Sequence, residues 1–313
     1  MRIVERCKKV PGGLMLVMVF IGAVMNTFFP TWLQIGDPFT VTSTKSGLMP
    51  MVGLMLFFTG TQMKGETIKK VARRGGMLFL FKLGLFLIFG YTVWNLLGTG
   101  SFLGISSLAW ITAFMSCNSA LYLSIVQQLG DDVDQANFGL LTLVGMPNVA
   151  LLLFNQSSSI MEIVADVAAM SLPFLLGMII TYLDSSFQRM FEKGTQCIIP
   201  IAGFEFGTNI HLLTMFQSGF AGIVLCVVTL CLSLIPTLIF DCKVLKQPGY
   251  AAIASCGLSG VSLSLPYLAS QIVSEFEPIV EVVTGQCAVA LLLTTFLLPF
   301  IAKGWMKLKR VDC

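Results

Sequence analysis

Long apolar runs alternate with short polar ones along this chain, and the runs approach the thickness of a bilayer. A spanning helix needs about 20 predominantly apolar residues. Runs of this kind lie at 12–30, 46–63, 75–97, 104–128, 136–154, 161–183, 195–213, 218–240, 249–273 and 279–302. The pattern predicts an all-α polytopic membrane protein with ten transmembrane helices. Two of the ten are broken by small polar residues. The fourth contains Ser116-Cys117-Asn118-Ser119-Ala120. The ninth contains Ser259-Gly260-Val261-Ser262-Leu263-Ser264-Leu265-Pro266, 143 positions later when Ser116 is set against Ser259. An unpaired backbone amide in hydrocarbon is costly, so non-helical backbone survives there only inside protein or beside a wet cavity. One such interruption in each half of a chain points to a secondary transporter's binding site.

A repeat accompanies the paired breaks. Pro50-Met51-Val52-Gly53-Leu54 in the second span matches Pro200-Ile201-Ala202-Gly203-Phe204 in the seventh at an offset of 150, and both lead to Gly-Thr (Gly60-Thr61 and Gly207-Thr208). Five spans per half is an odd number, so the halves would insert upside down relative to each other. Residues 1–155 are therefore expected to form one five-helix repeat and 156–313 the second, in one membrane-embedded unit.

Composition fits this frame: of 313 residues 56% are hydrophobic and only 11% charged, against roughly 25% charge in a soluble domain. The nine cysteines are odd in number and form no C-x-x-C, so neither a disulfide framework nor a zinc site is indicated. Arg2, Arg6, Lys8 and Lys9 before an apolar run resemble a secretory signal. Bulky residues continue to Phe29 where a cleavage site would need small ones, so an uncleaved first helix is expected. With the N-terminus inside, 17 of the 19 Lys and Arg residues fall in cytoplasmic segments, leaving Lys45 outside and Lys82 within a span. This positive-inside bias predicts both termini in the cytoplasm. Asp131, Asp132 and Asp134 then lie inside without basic company.

The candidate chemistry sits in the spans. Ser116, Asn118 and Ser119 offer donors and acceptors at the first break, Ser262 and Ser264 at the second. Half-helix N-termini there suit an anionic substrate group; the alternative is that these side chains only hold helices together. Glu205 is the one carboxylate near the middle of a span. A mid-membrane acid is functional by default or kept protonated, and Glu205 is read as the carrier of a coupling proton. The plainer alternative is a protonated Glu bonded to a neighbouring helix with no part in turnover. Gln62, Thr208 and Asn209 are candidate cavity-lining groups. Lys82 is placed near the cytoplasmic end of the third span, where its side chain would snorkel to the interface, with pairing to a substrate carboxylate as the alternative. His211, the single histidine, is read as incidental. One histidine and one central carboxylate supply neither a nucleophile with its base nor a ligand cluster, so an enzyme is not expected. No cofactor, metal or nucleic-acid partner is indicated, and oligomeric state stays open.

Several stretches resemble the 2-keto-3-deoxygluconate permeases. They are Val10-Pro11-Gly12-Gly13-Leu14-Met15-Leu16-Val17 at the first span, Asn118-Ser119-Ala120-Leu121-Tyr122 through Gln127-Gln128-Leu129-Gly130, Ile199-Pro200 with Phe204 and Gly207, and Leu183-Asp184 with Arg189. The similarity covers essentially the whole chain. That family is assigned to the wider group of bile-acid-symporter-like and auxin-carrier-like transporters. The resemblance implies ten helices in a panel and a core domain, with broken helices 4 and 9 crossing at the substrate site. It also implies proton-coupled uptake (symport) of a keto-sugar acid across the inner membrane. The chain departs from the family pattern where Met115 and Val144 replace acidic residues. It departs further where Ser119-Ala120 replaces Gly-Gly, where Ser264-Leu265-Pro266 replaces Ala-Thr-Pro, and at Glu205 and His211. Sodium-coupled or uncoupled transport of another small organic anion is the alternative.

The topology carries a direct test. In a Cys-depleted background, cysteine at Thr40 should react with an impermeant thiol reagent applied to intact cells, and cysteine at Lys70 should not. Equal labelling would overturn the assignment of sides.

Overall fold

The computed structural model describes residues 12–63, 69–144, 150–154, 160–208, 210–213, 218–259 and 261–311. Glycine sets the start of its first helix, α1 (Gly13–Phe28). Gly12 has φ +69°, and a Cβ there would meet Ser124 Oγ at 2.7 Å, so no L side chain suits the position. Helices α2 (Leu48–Thr61) and α3 (Gly76–Leu97) follow, the latter entered through a π-helical turn at Val71–Gly75. Helix α3 ends at Gly98 with φ +53°. A two-stranded hairpin, β1 (Ser101–Phe102) and β2 (Ile105–Ser106), then turns the chain through Leu103 and Gly104, both at positive φ.

The fourth apolar run is broken as its sequence predicts. Helix α4 (Ser107–Phe114) starts at Ser106, whose side chain accepts from Ala109 N, and α5 (Ser119–Leu129) resumes after four residues. Helices α6 (Asp132–Ala136) and α7 (Phe138–Val144) complete the first half among the described residues. The second half holds α8 (Ile160–Leu183), α9 (Gly194–Gly207) and α10 (Gly219–Ile239), which runs on as a π-helical turn to Val244. Helix α11 (Tyr250–Ala254) is short and stops at the second break. A 3-10 turn at Val261–Ser264, α12 (Leu265–Ser270) and α13 (Val280–Val311) close the chain.

Among the described residues, four helical stretches suffice by length and composition to cross a membrane: Val71–Leu97, Ser107–Leu129, Gly219–Val244 and Ser274–Leu308. Gly13–Phe28, Met49–Thr61 and Ser171–Leu183 are apolar but shorter. Large hydrophobic side chains cover the outside, among them Leu80, Ile88, Leu96, Tyr182 and Phe220. Aqueous monomers do not carry an apolar surface this extensive, whereas lipid solvates it. The interrupted stretch Ser107–Leu129 differs: its apolar window is 100% buried, against 22% for Val71–Leu97. Broken backbone is thus enclosed by protein, as hydrocarbon requires.

The helices pack in two clusters. Helix α9 lies on α1 and α2, and α8 lies on α2. In the other cluster α10 packs on α13, α3 on α4, α5 on α11, and α4 on both α10 and α13. Each cluster takes helices from both halves of the sequence. Glycines govern the first cluster. A Cβ on Gly22 would come within 2.2 Å of Phe204 O, and one on Gly207 within 2.1 Å of Val19 O. Between α2 and α8 the same exchange recurs, with Gly60 at 2.1 Å from Phe174 O and Gly177 at 2.2 Å from Phe57 O. Backbones in direct contact gain dispersion where lipid removes the hydrophobic driving force between helices. Aromatic side chains fill the second cluster instead, as in the Phe89–Phe114 stack with ring centroids 3.8 Å apart.

These contacts predict unequal tolerance among the helical glycines. Gly60→Ala and Gly207→Ala should each destabilise by about 1–3 kcal/mol, the usual cost of overpacking. Gly53→Ala, with nothing within 4 Å of its Cβ, should be neutral or stabilising. Thermal unfolding in detergent measures the difference, and equal melting of all three variants would contradict it.

Candidate functional site

The two breaks satisfy each other. After α4, Met115 still donates to Ile111 O at 2.9 Å, and the chain then runs without helical bonds to Asn118. Asn118 N donates to Gly257 O in the second break at 2.8 Å. Ser259 N donates to Ser116 Oγ at 2.7 Å, and Ser116 Oγ lies 2.8 Å from Ser262 Oγ. Helix α13 supports the junction from behind, where Leu258 N donates to Thr294 Oγ1 at 3.2 Å. Ser116, Asn118, Ser259, Ser262 and Thr294 are all buried.

Asn118 has a second task. Its Oδ1 accepts from Leu121 N at 3.0 Å and so caps α5, leaving the side-chain amide directed elsewhere. Asn118 Nδ2 is buried and has no hydrogen-bond partner among the described residues. A buried donor left unmade costs about 1–3 kcal/mol, so this amide is a candidate ligand contact. Ser119 opens α5 beside it and is buried.

Other expected site residues fall elsewhere. Ser264 is exposed, one residue before α12, so it does not share the buried junction with Ser116 and Ser262. Asn209 lies outside the described residues. Glu205 is fully buried in α9, and its carboxylate packs on the turn before α2. A Cβ on Gly47 would stand 2.2 Å from Glu205 Oε1 and 2.6 Å from Val41 O. The hydrogen bonds joining the two breaks do not include it. Thr208 Oγ1 donates to Glu205 O at 2.7 Å, an ordinary helical back-bond. Gln62 Nε2 donates to Gln188 O at 3.0 Å and lines a polar cavity of about 70 Å³ with Gln127, Gln135, Glu192 and Gln196. Met115, Ala120, Val144 and Leu265, where the chain departs from the permease pattern, are buried.

Two sequence readings need correction. Lys82 does not snorkel to an interface: it is fully buried, and Nζ donates to Ser233 Oγ at 3.0 Å and Cys256 Sγ at 3.2 Å. Its side chain is directed inward from α3, where Ser233 of α10 and Cys256 hold the ammonium away from any surface. The aspartates after α5 do have basic company as well. Arg74 forks onto Asp131, with NH1 to Oδ2 at 2.7 Å, and also pairs with Asp134. Its NH1 reaches Gln247 Oε1 at 3.0 Å, which ties the chain's two halves together. Burial pushes the Asp131 carboxyl up, but the Arg74 contacts and the Asp134 N–H outweigh it and hold Asp131 below the usual range. At Asp134 burial prevails over Arg74, and its carboxyl is raised.

The residues of the junction that the sequence did not single out are Gly257 and Thr294, which meet it through a backbone oxygen and a threonine within an apolar run. Neither type stands out in a hydropathy pattern.

Comparison with known proteins agrees with this architecture. A family model described as 2-keto-3-deoxygluconate permease matches residues 4–311. A 2-keto-3-deoxygluconate permease of Escherichia coli O139:H28 (strain E24377A / ETEC) is 30% identical over 98% of this chain and 95% of its own. Those of Escherichia coli O7:K1 (strain IAI39 / ExPEC) and strain K12 / DH10B are each 29% identical over the same shares. The chain therefore belongs to the 2-keto-3-deoxygluconate permease family, as a membrane-embedded permease for a small molecule and not an enzyme.

Proposed function

We propose that this protein takes up 2-keto-3-deoxygluconate, or a closely related sugar acid, across the inner membrane by proton symport. The observation that carries the reading is the junction of the two breaks, with the buried Asn118 amide left for a ligand. Family membership supports the substrate class, since the similar proteins are named as permeases of that compound. In this reading ten helices form a 5+5 inverted repeat, residues 1–155 and 156–313, with both termini cytoplasmic. The glycine contacts support it: a two-fold relation that exchanges α1 with α8 and α2 with α9 carries Gly22 onto Gly177 and Gly60 onto Gly207.

The substrate has one carboxylate and several hydroxyls, and the proposed site answers both. The N-terminal N–H groups of α5 and Asn118 Nδ2 receive the carboxylate. Ser116, Ser119 and Ser262 pair with hydroxyl and keto oxygens. Glu205 carries the coupling proton from the neighbouring cluster, where burial among α9 and the Gly47 turn makes a charged carboxylate costly.

Asn118→Ser keeps a capping oxygen and removes the amide, so it should fold normally yet bind 2-keto-3-deoxygluconate roughly ten-fold to a hundred-fold more weakly, the worth of a hydrogen bond to a charged group. Ser262→Ala should weaken binding in the same direction. Substrate-induced thermal shift of purified protein reads both effects, and unchanged affinity in both variants would remove the site from this junction.

Glu205→Gln imitates the protonated state permanently. It should still exchange labelled substrate between loaded compartments of proteoliposomes, but lose accumulation driven by a pH difference. Glu205→Asp should retain part of it. Unimpaired pH-driven accumulation by Glu205→Gln would dismiss Glu205 as the carrier. Accumulation driven by a sodium gradient alone would favour sodium-coupled anion uptake.

A further inference from the structure

Lys82 is the cation that neither the family assignment nor the proposed site uses. It is fully buried in α3. Its Nζ donates to Ser233 Oγ of α10 and to Cys256 Sγ, which begins the second break, and lies 5.4 Å from the centroid of the Phe86 ring. An ammonium has three donors, and the described residues fill two. Among the described residues no carboxylate stands within ion-pair distance of it; the ion pairs there belong to Arg74.

The surroundings of this charge belong to both breaks. Cys256 Sγ donates in turn to Ala252 O in α11 at 3.2 Å. Phe86 meets Phe114, the last residue of α4, edge-on with centroids 5.6 Å apart. Two helices, α4 and α11, end at this junction, and helix C-termini present the negative ends of their peptide dipoles. In transporters with discontinuous helices, such ends and the unwound carbonyls beside them coordinate a coupling cation.

We propose that Lys82 is a tethered cation at the junction of the two breaks, supplying the positive charge that a bound metal cation would otherwise bring, so that transport needs no sodium ion. The inference rests on the proposed transport of a sugar acid through this junction. Burying an ion without an opposite charge is costly, and a methionine would fill the same space without that cost. An anionic substrate beside Lys82 removes the imbalance. Substrate and lysine together are neutral, so the loaded junction meets a smaller electrostatic barrier in the membrane than either charge alone. Ser233 and Cys256 fix where the ammonium sits, and the Phe86 ring adds a cation–π contact.

The test has an arm that needs no substrate. For the purified full chain, replacing choline chloride by sodium chloride at equal ionic strength should leave the melting temperature unchanged. For Lys82→Ala, which vacates the position, sodium should raise it. A sodium-specific rise for the unaltered protein would overturn the proposal. In proteoliposomes, exchange of labelled 2-keto-3-deoxygluconate by the unaltered protein is measured first, and its absence would sink the substrate reading while leaving the sodium arm decisive. Given exchange, uptake by the unaltered protein should be indifferent to sodium. Lys82→Met should lower substrate affinity and pH-driven accumulation roughly ten-fold or more, as for loss of one charge-assisted contact, and Lys82→Arg should recover part of both. A folded Lys82→Met protein with unaltered affinity and accumulation would overturn the proposal. Should Lys82→Met not fold, the sodium response of the unaltered protein and the behaviour of Lys82→Arg decide.

Discussion

Two stretches of backbone deep in an apolar protein give up their helical hydrogen bonds, and the rest of the molecule is arranged so that they recover them from each other. Asn118 N to Gly257 O and Ser259 N to Ser116 Oγ do this directly, and Thr294 Oγ1 of α13 accepts from Leu258 N. Each of these groups would cost several kcal/mol if left unpaired in hydrocarbon. Small residues are needed at the meeting point because the chains must approach within hydrogen-bonding distance. A Cβ on Gly257 would already sit 3.1 Å from Leu121 Cδ2 and 3.3 Å from Asn118 Cβ. The enclosure of the apolar part of Ser107–Leu129 follows from the same need: only protein can solvate such a site inside a bilayer.

Two packing strategies surround that junction. Around α3, α4, α10 and α13, aromatic and aliphatic side chains build a thick core that holds the breaks in register. Between α1 and α9, and between α2 and α8, glycines bring backbones into contact and leave little side chain between them. The second arrangement gives a thin, closely joined layer. Glu205 belongs to that layer, packed on the Gly47 turn, whereas Ser116, Asn118, Ser262 and Lys82 belong to the thick one.

The breaks were legible in the sequence because polar residues inside an apolar run violate a simple solvation rule. Asn118 stood out as a donor and acceptor at the break, whereas its capping of α5 emerged only with the structure. Lys82 was misjudged because hydropathy does not tell which side of a helix faces the interior, and its partners Ser233 and Cys256 lie 151 and 174 positions away. The partnership of Arg74 with Asp131 and Asp134 spans 57 and 60 positions, and no local pattern encodes contacts over such separations. Ser264 shares the composition of the second break but not its burial. A 3-10 turn from Val261 to Ser264 redirects the chain, so Ser262 turns inward while Ser264 is exposed. The paired glycines Gly60 and Gly207 stood out as a repeat, but their role emerged only with their partners Gly177 and Gly22.

The placement of charge then constrains how the proposed coupling can work. A fixed cation at the junction and a buried acid in the adjoining layer do not share a hydrogen bond in the described structure. What they share is helix contact: α9, which carries Glu205, packs against α5, whose start is capped by Asn118. Protonation of Glu205 removes a charge from α9 and changes what that helix can hold buried against the Gly47 turn. A substrate carboxylate removes the excess charge beside Lys82 on the other side of the same contact. Each event lowers the electrostatic cost in its own cluster. Symport in this reading is the requirement that the charges of Lys82 and Glu205 be neutralised together, with the α5–α9 contact as one place where the two clusters meet.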